Sequence, residues 1–563
     1  MQIILHFVSQ TFANIGPFFI LLGLLIFVHE FGHFIVARMC GVRVETFSLG
    51  FGKKIFQYKP GKTNYCISMI PLGGYVKMYG DDPSADIPVE QRSGAFLYKN
   101  VGQRIAIVLA GPAMNLIFAT FLFMLIARLG EEVPSPIVGD IAPTTVAYQA
   151  GFRSGDKVAK IGSEPIQSWL EVQELIEKAA GQTLSFQVQH SNGVEQTFTA
   201  TPTASANENI LSYHHEVGHI DGLSPEALAG IVGVIPGGLA EKAGLQSIDL
   251  ITSVNDLPVS SFADLENKSN QEILKKSPEL RFKVRTAEME DKPENHHIIT
   301  VPVKDITVAP GASPLLLLGI ESAELYILKV KPGSPAAQAG IVPKDRIVKV
   351  EGNDVQSWNE VLRLVKNYDP AKSPINFEIR RGNEMQKLAI RPEFSNLMNS
   401  KNQEEKRYTV GIISGSIKIG PDPVLIQIKD PIRIVQRGFS QSAEWTGLMV
   451  MSLVRLAQGQ VSSKNIGGVI TIGRVASRSF ELGISAFLKT MAIISINLFL
   501  LNLLPVPVLD GGHLLFFSIE ALKGTPISLK KLELAQQVGL TLLIMLMAFA
   551  FFNDISNLIS ARW

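Results

Sequence analysis

The chain is poor in cysteine and carries no surplus of charge of either sign. Two thiols, Cys40 and Cys66, serve 563 residues, so no disulfide framework is expected. With 52 basic against 51 acidic residues, there is no cationic excess to displace counterions from a phosphate backbone, and no nucleic acid partner is expected. Residues 1–14 contain no Lys or Arg, and no small-x-small site follows the first apolar run, so that run does not read as a cleavable signal peptide. What the chain has instead is clustering. A hydrophobic content of 46% is ordinary, yet mean hydropathy is +0.21, which requires the apolar residues to be gathered into runs.

Four runs are long enough to cross a bilayer: about Ile15 to Ala37, Ile105 to Ala127, Ala486 to Leu504 with an apolar extension to Phe517, and Val538 to Phe552. The segment between the first two holds Arg38, Arg43, Lys53, Lys54, Lys59, Lys62, Lys77, Arg92, Lys99 and Arg104. By the positive-inside rule that loop is cytoplasmic, and the N-terminus, the C-terminus and the long region from about 130 to 480 are extracytoplasmic.

Within the first run stands Val28-His29-Glu30-Phe31-Gly32-His33. On a helix, residues four apart share a face, so His29 and His33 can present ring nitrogens to one Zn²⁺ while Glu30 reaches a water at the metal. Ionisable groups at membrane depth are costly and read as functional by default. The third run contains Ser495-Ile-Asn497 and then Asn502-Leu-Leu-Pro505-Val-Pro507-Val-Leu-Asp510-Gly-Gly-His513. Its prolines and glycines break a helix where only protein or a water-filled cavity tolerates a break. A catalytic zinc usually takes three protein ligands, and Asp510 is the acidic residue placed to complete the two histidines. His513 is the rival ligand, and Asp510 as a helix cap is the structural alternative.

After the first run, Asn64 to Ile70 and Tyr75 to Met78 alternate like strands around Pro71-Leu-Gly-Gly74, which predicts a hairpin or bent sheet with its turn at Gly73-Gly74. A free edge there could hold an extended peptide. In the second run, Asn115 of Ala110-Gly-Pro-Ala-Met-Asn115 reads as packing between helices more readily than as orienting a ligand.

The extracytoplasmic region repeats itself. Val138 to Val158, Val232 to Ile251 and Val330 to Val350 share a turn, a short helix ending at Ala-Gly, and an Asp that opens a strand, with Trp169 and Trp358 at similar spacing behind the first and third copies. These residues resemble the PDZ signature. The first copy lacks the Pro-Gly turn, and Ile248 and Lys344 stand where Gly precedes the Asp in the first; the middle copy is expected to be a spacer. Residues 431–459 read as an amphipathic helix on the membrane surface or against the spans, with a fifth span from Ala443 as the competitor.

His29-Glu-x-x-His33, Gly73-Gly-Tyr-Val-Lys77 and Asn502-x-x-Pro-x-Pro-x-x-Asp510-Gly together resemble the site-2 protease family of intramembrane metalloproteases, and with the PDZ-like copies they resemble its bacterial regulator-of-sigma-E protease group. The resemblance implies Zn²⁺ on His29, His33 and Asp510 and Glu30 as catalytic base. It also implies substrate contacts from Asn497, Asn502, Pro505 and Pro507 and from a clamping strand of Gly73, Gly74, Tyr75, Val76 and Lys77. Implied substrates are single-span membrane proteins, such as anti-sigma factors, and signal peptide remnants, met within the lipid of a bacterial inner membrane, with the PDZ region filtering what enters. Such relatives commonly carry two PDZ modules; three copies are counted here.

The expected fold is a polytopic α-helical membrane protein of about four transmembrane helices with inserted extracytoplasmic PDZ-like α+β domains. Its expected parts are a first span at 1–37, a cytoplasmic loop at 38–104, a second span at 105–130, and modules at 131–225, 226–312 and 313–400. A linker with the amphipathic helix follows at 401–485, then spans at 486–517 and 538–555. The other readings open to the sequence are a membrane scaffold with a silent metal site and a transporter; the spans show no paired repeat in favour of the latter.

Overall fold

The computed structural model describes residues 2–560 apart from 83–85, 143, 191–192, 208–215, 287–294, 305, 307–312, 372, 399–403 and 461–466. Two compact units emerge, one from residues 1–132 with 425–563 and one from 133–207 with 214–424.

The first unit is built from helices α1 (Gln2–Met39), α2 (Val101–Leu129), α3 (Pro431–Ala457), α4 (Val469–Glu481), α5 (Ile484–Leu503), α6 (Asp510–Lys523) and α7 (Leu529–Ser560), with strands β1 (Val44–Tyr58) and β2 (Asn64–Met78) after α1. Stretches of α1, α2, α5 and α7 are long and apolar enough to cross a membrane: Gly16–Met39, Val101–Leu129, Ile484–Leu503 and Lys530–Ser556. Phe18, Leu21 and Leu25 of α1, Ala119, Leu122 and Phe123 of α2, and Phe487, Met491 and Ile496 of α5 form a core common to those three helices. The α1–α2 contact is close because it is made on glycine. A methyl group at Gly32 would collide with the Ala110 carbonyl, and one at Gly111 with the His33 ring.

At the other end of the α2 contact, Arg104 is buried and pairs bidentately with Glu520 of α6 at 2.6 and 3.0 Å, its guanidinium over the Phe517 ring. Helix α3, in the 431–459 stretch, packs against α2: Gly438 abuts Met124 and Thr120, and Thr120 donates to Ser442 Oγ at 2.9 Å. Helix α4 lies inside the stretch expected to be linker. Its N-terminal amides at Gly468, Ile470 and Thr471 bond to the Asp554 carboxylate of α7, a cap supplied from far along the chain rather than from a neighbouring Ser or Asp.

The bend expected at Gly73-Gly74 is present, but the segments on its two sides pair with β1 and not with each other. The hairpin reverses between Tyr58 and Asn64, and β2 runs unbroken from Asn64 to Met78. Thr46 to Leu49 of β1 pair both with 64–67 and with 74–77 of β2, so β2 folds around β1. Gly73 (φ 115°) takes the bend, and a methyl group there would strike Phe51.

In the second unit the same succession of elements occurs three times. Each copy has a first strand or extended segment at Val138, Ile231–Val234 or Ile327–Val330 and a short helix at Val146–Ala150, Leu239–Lys242 or Pro335–Gln338. A strand follows at Lys157–Ile161, Asp249–Val254 or Arg346–Val350, then a longer helix at Trp169–Lys178, Phe262–Leu274 or Trp358–Lys366, then two paired strands. The longer helices open identically. Ser168, Ser261 and Ser357 cap them, and Glu171, Asp264 and Glu360 return a bond to the amide before each serine.

Two expected boundaries move. Leu315, Leu318 and Ile320 lie in the core of the middle module and Ile320–Ser322 pairs with its first strand, so that module runs past 312. Val410 lies in the third core and Ile412–Ser414 pairs with Ile327–Val330, so residues expected to be linker after 400 complete the third module. The physical reason is that each module closes with a strand laid beside its own first strand, and the sequence between repeats does not say which neighbour it joins. Glu321 then ties the middle module to the third. It accepts Arg346 at 2.9 Å, Arg380 at 3.0 Å and the Tyr326 hydroxyl at 2.7 Å. Burial alone would raise its carboxyl, but the Arg346 and Tyr326 bonds outweigh burial and hold it below the ordinary carboxylate value.

Candidate metal centre

His29 and His33 lie one helical turn apart on α1, and Asp510 is the first residue of α6, just past the break at 504–509. Gly511 and Gly512 permit that break. Side chains there would collide with the main chain of Leu503, Leu504 and Val506, so only glycine lets α6 start so close to the end of α5. Asp510 is thereby brought to α1.

His29 Nε2 is 3.2 Å and His33 Nε2 is 3.5 Å from Asp510 Oδ2, and the two ring nitrogens are 3.3 Å from each other. Zn²⁺ bound at about 2.0–2.1 Å in a tetrahedron holds neighbouring donors about 3.3–3.4 Å apart, so the three atoms fit one ion. Among the described residues these three are the group of His, Cys, Asp and Glu that can hold a metal. Asp510 Oδ2 is buried and makes no hydrogen bond, which leaves it free for a cation.

Both histidines are oriented from α2. His33 Nδ1 lies 2.8 Å from the Ile107 carbonyl; a carbonyl only accepts, so the proton is on Nδ1 and the Nε2 lone pair faces Asp510. His29 Nδ1 lies 3.2 Å from the side-chain amide of Asn115, a contact the sequence reading ranked below helix packing. Its only sequence signal was a polar residue in an apolar run.

Glu30 faces β2. Gly74 is close enough that a methyl group there would press on Glu30 Cγ. The strand Gly73, Gly74, Tyr75, Val76 and Lys77 therefore lies beside the carboxylate; Tyr75 stacks on Phe51, and Lys77 pairs with Glu45. Asn497 and Asn502 are half-buried on the last turns of α5, and Pro505 and Pro507 lie in the break. None of these four belongs to the ligand group. His513 is also outside it, lining a cavity of about 370 Å³ with Pro507, Val508, Glu533, Gln536 and Gln537.

Two imidazoles and a neighbouring glutamate on a helix apolar enough to cross a membrane, with a carboxylate brought to them by α6, have the make-up of a membrane-embedded metallohydrolase site. The chain belongs to Peptidase family M50, which matches residues 17–546. It is 31% identical over 547 residues to the regulator of sigma-E protease RseP of Salmonella typhimurium and 31% identical over 551 residues to RseP of Escherichia coli, covering 97% of this chain and 99% of the relative in each case. A solved PDZ domain of an SdrC-like protein from Listeria monocytogenes is similar over 17% of this chain and 90% of its own, at 18% identity and a TM-score of 0.14; the module description above rests on the repeated element order instead. The protein is an intramembrane zinc metalloprotease of the site-2 type in the bacterial inner membrane.

Proposed function

We propose that His29, His33 and Asp510 hold the zinc, that Glu30 is the general base, and that the chain cuts single-span membrane proteins of the anti-sigma-factor kind within the bilayer. The observation that carries the ligand assignment is the 3.2–3.5 Å spacing of the three donor atoms. The substrate class is what the family resemblance implies, and the names of the two relatives, each a regulator of sigma-E protease RseP, agree with it.

When bound, zinc supplies Lewis acidity at the scissile carbonyl and lowers the pKa of water towards about 7. Glu30 takes the proton from the attacking water and returns it to the departing amine nitrogen, so that one water is consumed and a carboxylate and an amine result. The edge at Gly73, Gly74, Tyr75, Val76 and Lys77 holds the unwound substrate by main-chain hydrogen bonds. Asn497 and Asn502 position it beside the Pro505–Pro507 break, one of them donating to the developing oxyanion.

The basic loop at 38–104 faces the cytoplasm with the active site near that side, and both termini and the PDZ-like modules face the periplasm. There the modules decide which substrates, already shortened, reach the site. Glu30→Gln tests the chemistry. It is expected to retain zinc at the wild-type stoichiometry while cleavage of a tagged single-span substrate in detergent disappears; full cleavage by that variant overturns the base assignment.

A further inference from the structure

Asn115 has no exposed surface. It stands where three helices meet: its carbonyl on α2 accepts Ser495 Oγ of α5 at 2.7 Å, and its side chain touches His29 of α1. Drawn with Nδ2 towards His29 Nδ1, the amide leaves its buried Oδ1 with no hydrogen-bond partner. In that orientation Nδ1 must accept, which moves the His29 proton to Nε2, the atom aimed at Asp510.

Amide oxygen and nitrogen are interchangeable by a half-turn. Turned, Oδ1 accepts from Nδ1–H and the Nε2 lone pair is released, the state His33 already has through the Ile107 carbonyl. With Nδ2 towards His29, the Oδ1 of a fully buried amide goes without a partner, at a cost that an apolar residue of similar volume would avoid. Packing therefore gives no reason for an amide here; the contact with His29 does.

We propose that Asn115 is the positioning residue for His29. Its amide oxygen accepts the Nδ1 proton, fixes the tautomer and ring rotation, and presents Nε2 to zinc. The proposal rests on the assignment of His29 as a ligand.

The test is zinc affinity of the full-length protein in detergent, measured with zinc alone against a competing chelator. Asn115→Leu removes the acceptor at similar volume and is expected to weaken zinc binding about 10–100-fold, with cleavage recovering as zinc is raised. Asn115→Asp keeps an acceptor oxygen and is expected to stay within a few-fold of wild type. The zinc-free forms of wild type and Asn115→Leu are expected to melt together; a lowered melting temperature with unchanged zinc affinity assigns Asn115 to packing and overturns the proposal. If Asn115→Leu does not fold, Asn115→Ala against Asn115→Asp makes the same comparison. His29→Ala separates the two readings: full zinc in that variant refutes the ligand assignment, whereas lost zinc there with wild-type affinity in Asn115→Leu refutes only the positioning role.

Discussion

Each repeated module buries one aspartate at the same place in its fold. Asp156, Asp249 and Asp345 follow the residues at positive φ, Gly155, Ile248 and Lys344, and each accepts the amide three residues back, from Arg153, Gln246 and Val342. The preceding amides donate to Val138, Val232 and Ile327, so the aspartate clamps a turn that joins the first strand to the second. Asp510 in the helical unit is also largely buried, yet its Oδ2 meets no donor and faces two imidazoles on another helix. A buried carboxylate satisfied by its own turn serves the fold. One left facing distant nitrogens adds no hydrogen bond to the fold, which supports the ligand role proposed for Asp510.

The sharpest way to break this contrast is to remove one carboxylate of each kind. Asp510→Ala is expected to lose zinc and all measurable proteolysis while the repeated modules melt as before. Asp345→Ala is expected to keep zinc but to destabilise the third module by about 3 kcal/mol, since Arg381 and the Val342 amide lose a partner that is 1% exposed. Metal analysis and differential scanning calorimetry separate the two outcomes; zinc loss in Asp345→Ala would erase the distinction.

The positive-φ residues give a smaller effect with opposite signs. Ile248 (φ 76°) is a strained β-branched residue whose side chain is 4% exposed and packs with Ile231, Tyr326 and Leu328. Ile248→Gly relieves about 1–2 kcal/mol of strain but forfeits about 2–5 kcal/mol of burial, so net destabilisation is expected. Lys344 (φ 73°) is exposed. With no burial to lose, Lys344→Gly is expected to stabilise by up to about 1 kcal/mol, read as a rise in unfolding temperature.

The gentlest probe is pH. Asp345 is paired with Arg381, a permanent cation, whereas Asp156 is paired with His190 at 2.6 Å. Bonds to Gln196 and Asp156 raise His190 above its ordinary 6.5, and burial raises Asp156 against the pull of His190. A raised histidine contributes its full stability below about pH 6.5 and loses it as pH climbs through the folded value; the raised aspartate acts in the same direction. Amide protection in module one is expected to fall relative to module three between pH 6 and 9, and His190→Arg to remove that dependence. Equal pH response in both modules would show that His190 does not govern the clamp.

Much of the site was legible because it is written in local spacing. His29 and His33 are a helical turn apart, and Asp510 advertises itself by lying at a Pro/Gly break in an apolar run. The triple repeat was legible for the same reason, since every copy carries its own turn, cap and Asp. The contact of Asn115 with His29 and the Asp554 cap on α4 are not legible in the sequence, because neither residue has a local partner to reveal it. The module boundaries failed at 312 and 400 for a related cause: the closing strands at Ile320–Ser322 and Ile412–Ser414 look alike from either side, and only pairing assigns them.

The sequence by itself determined which segments avoid water, which residue types could bind zinc, and which turns recur, because hydropathy and periodicity act within a few residues along the chain. Tertiary structure alone decided that Asp510 meets His29 and His33, that β2 brings its edge to Glu30, and that α2 supplies a partner to each imidazole. Those meetings depend on how closely helices approach at Gly32, Gly111, Gly511 and Gly512, a matter of three-dimensional packing that no local pattern encodes.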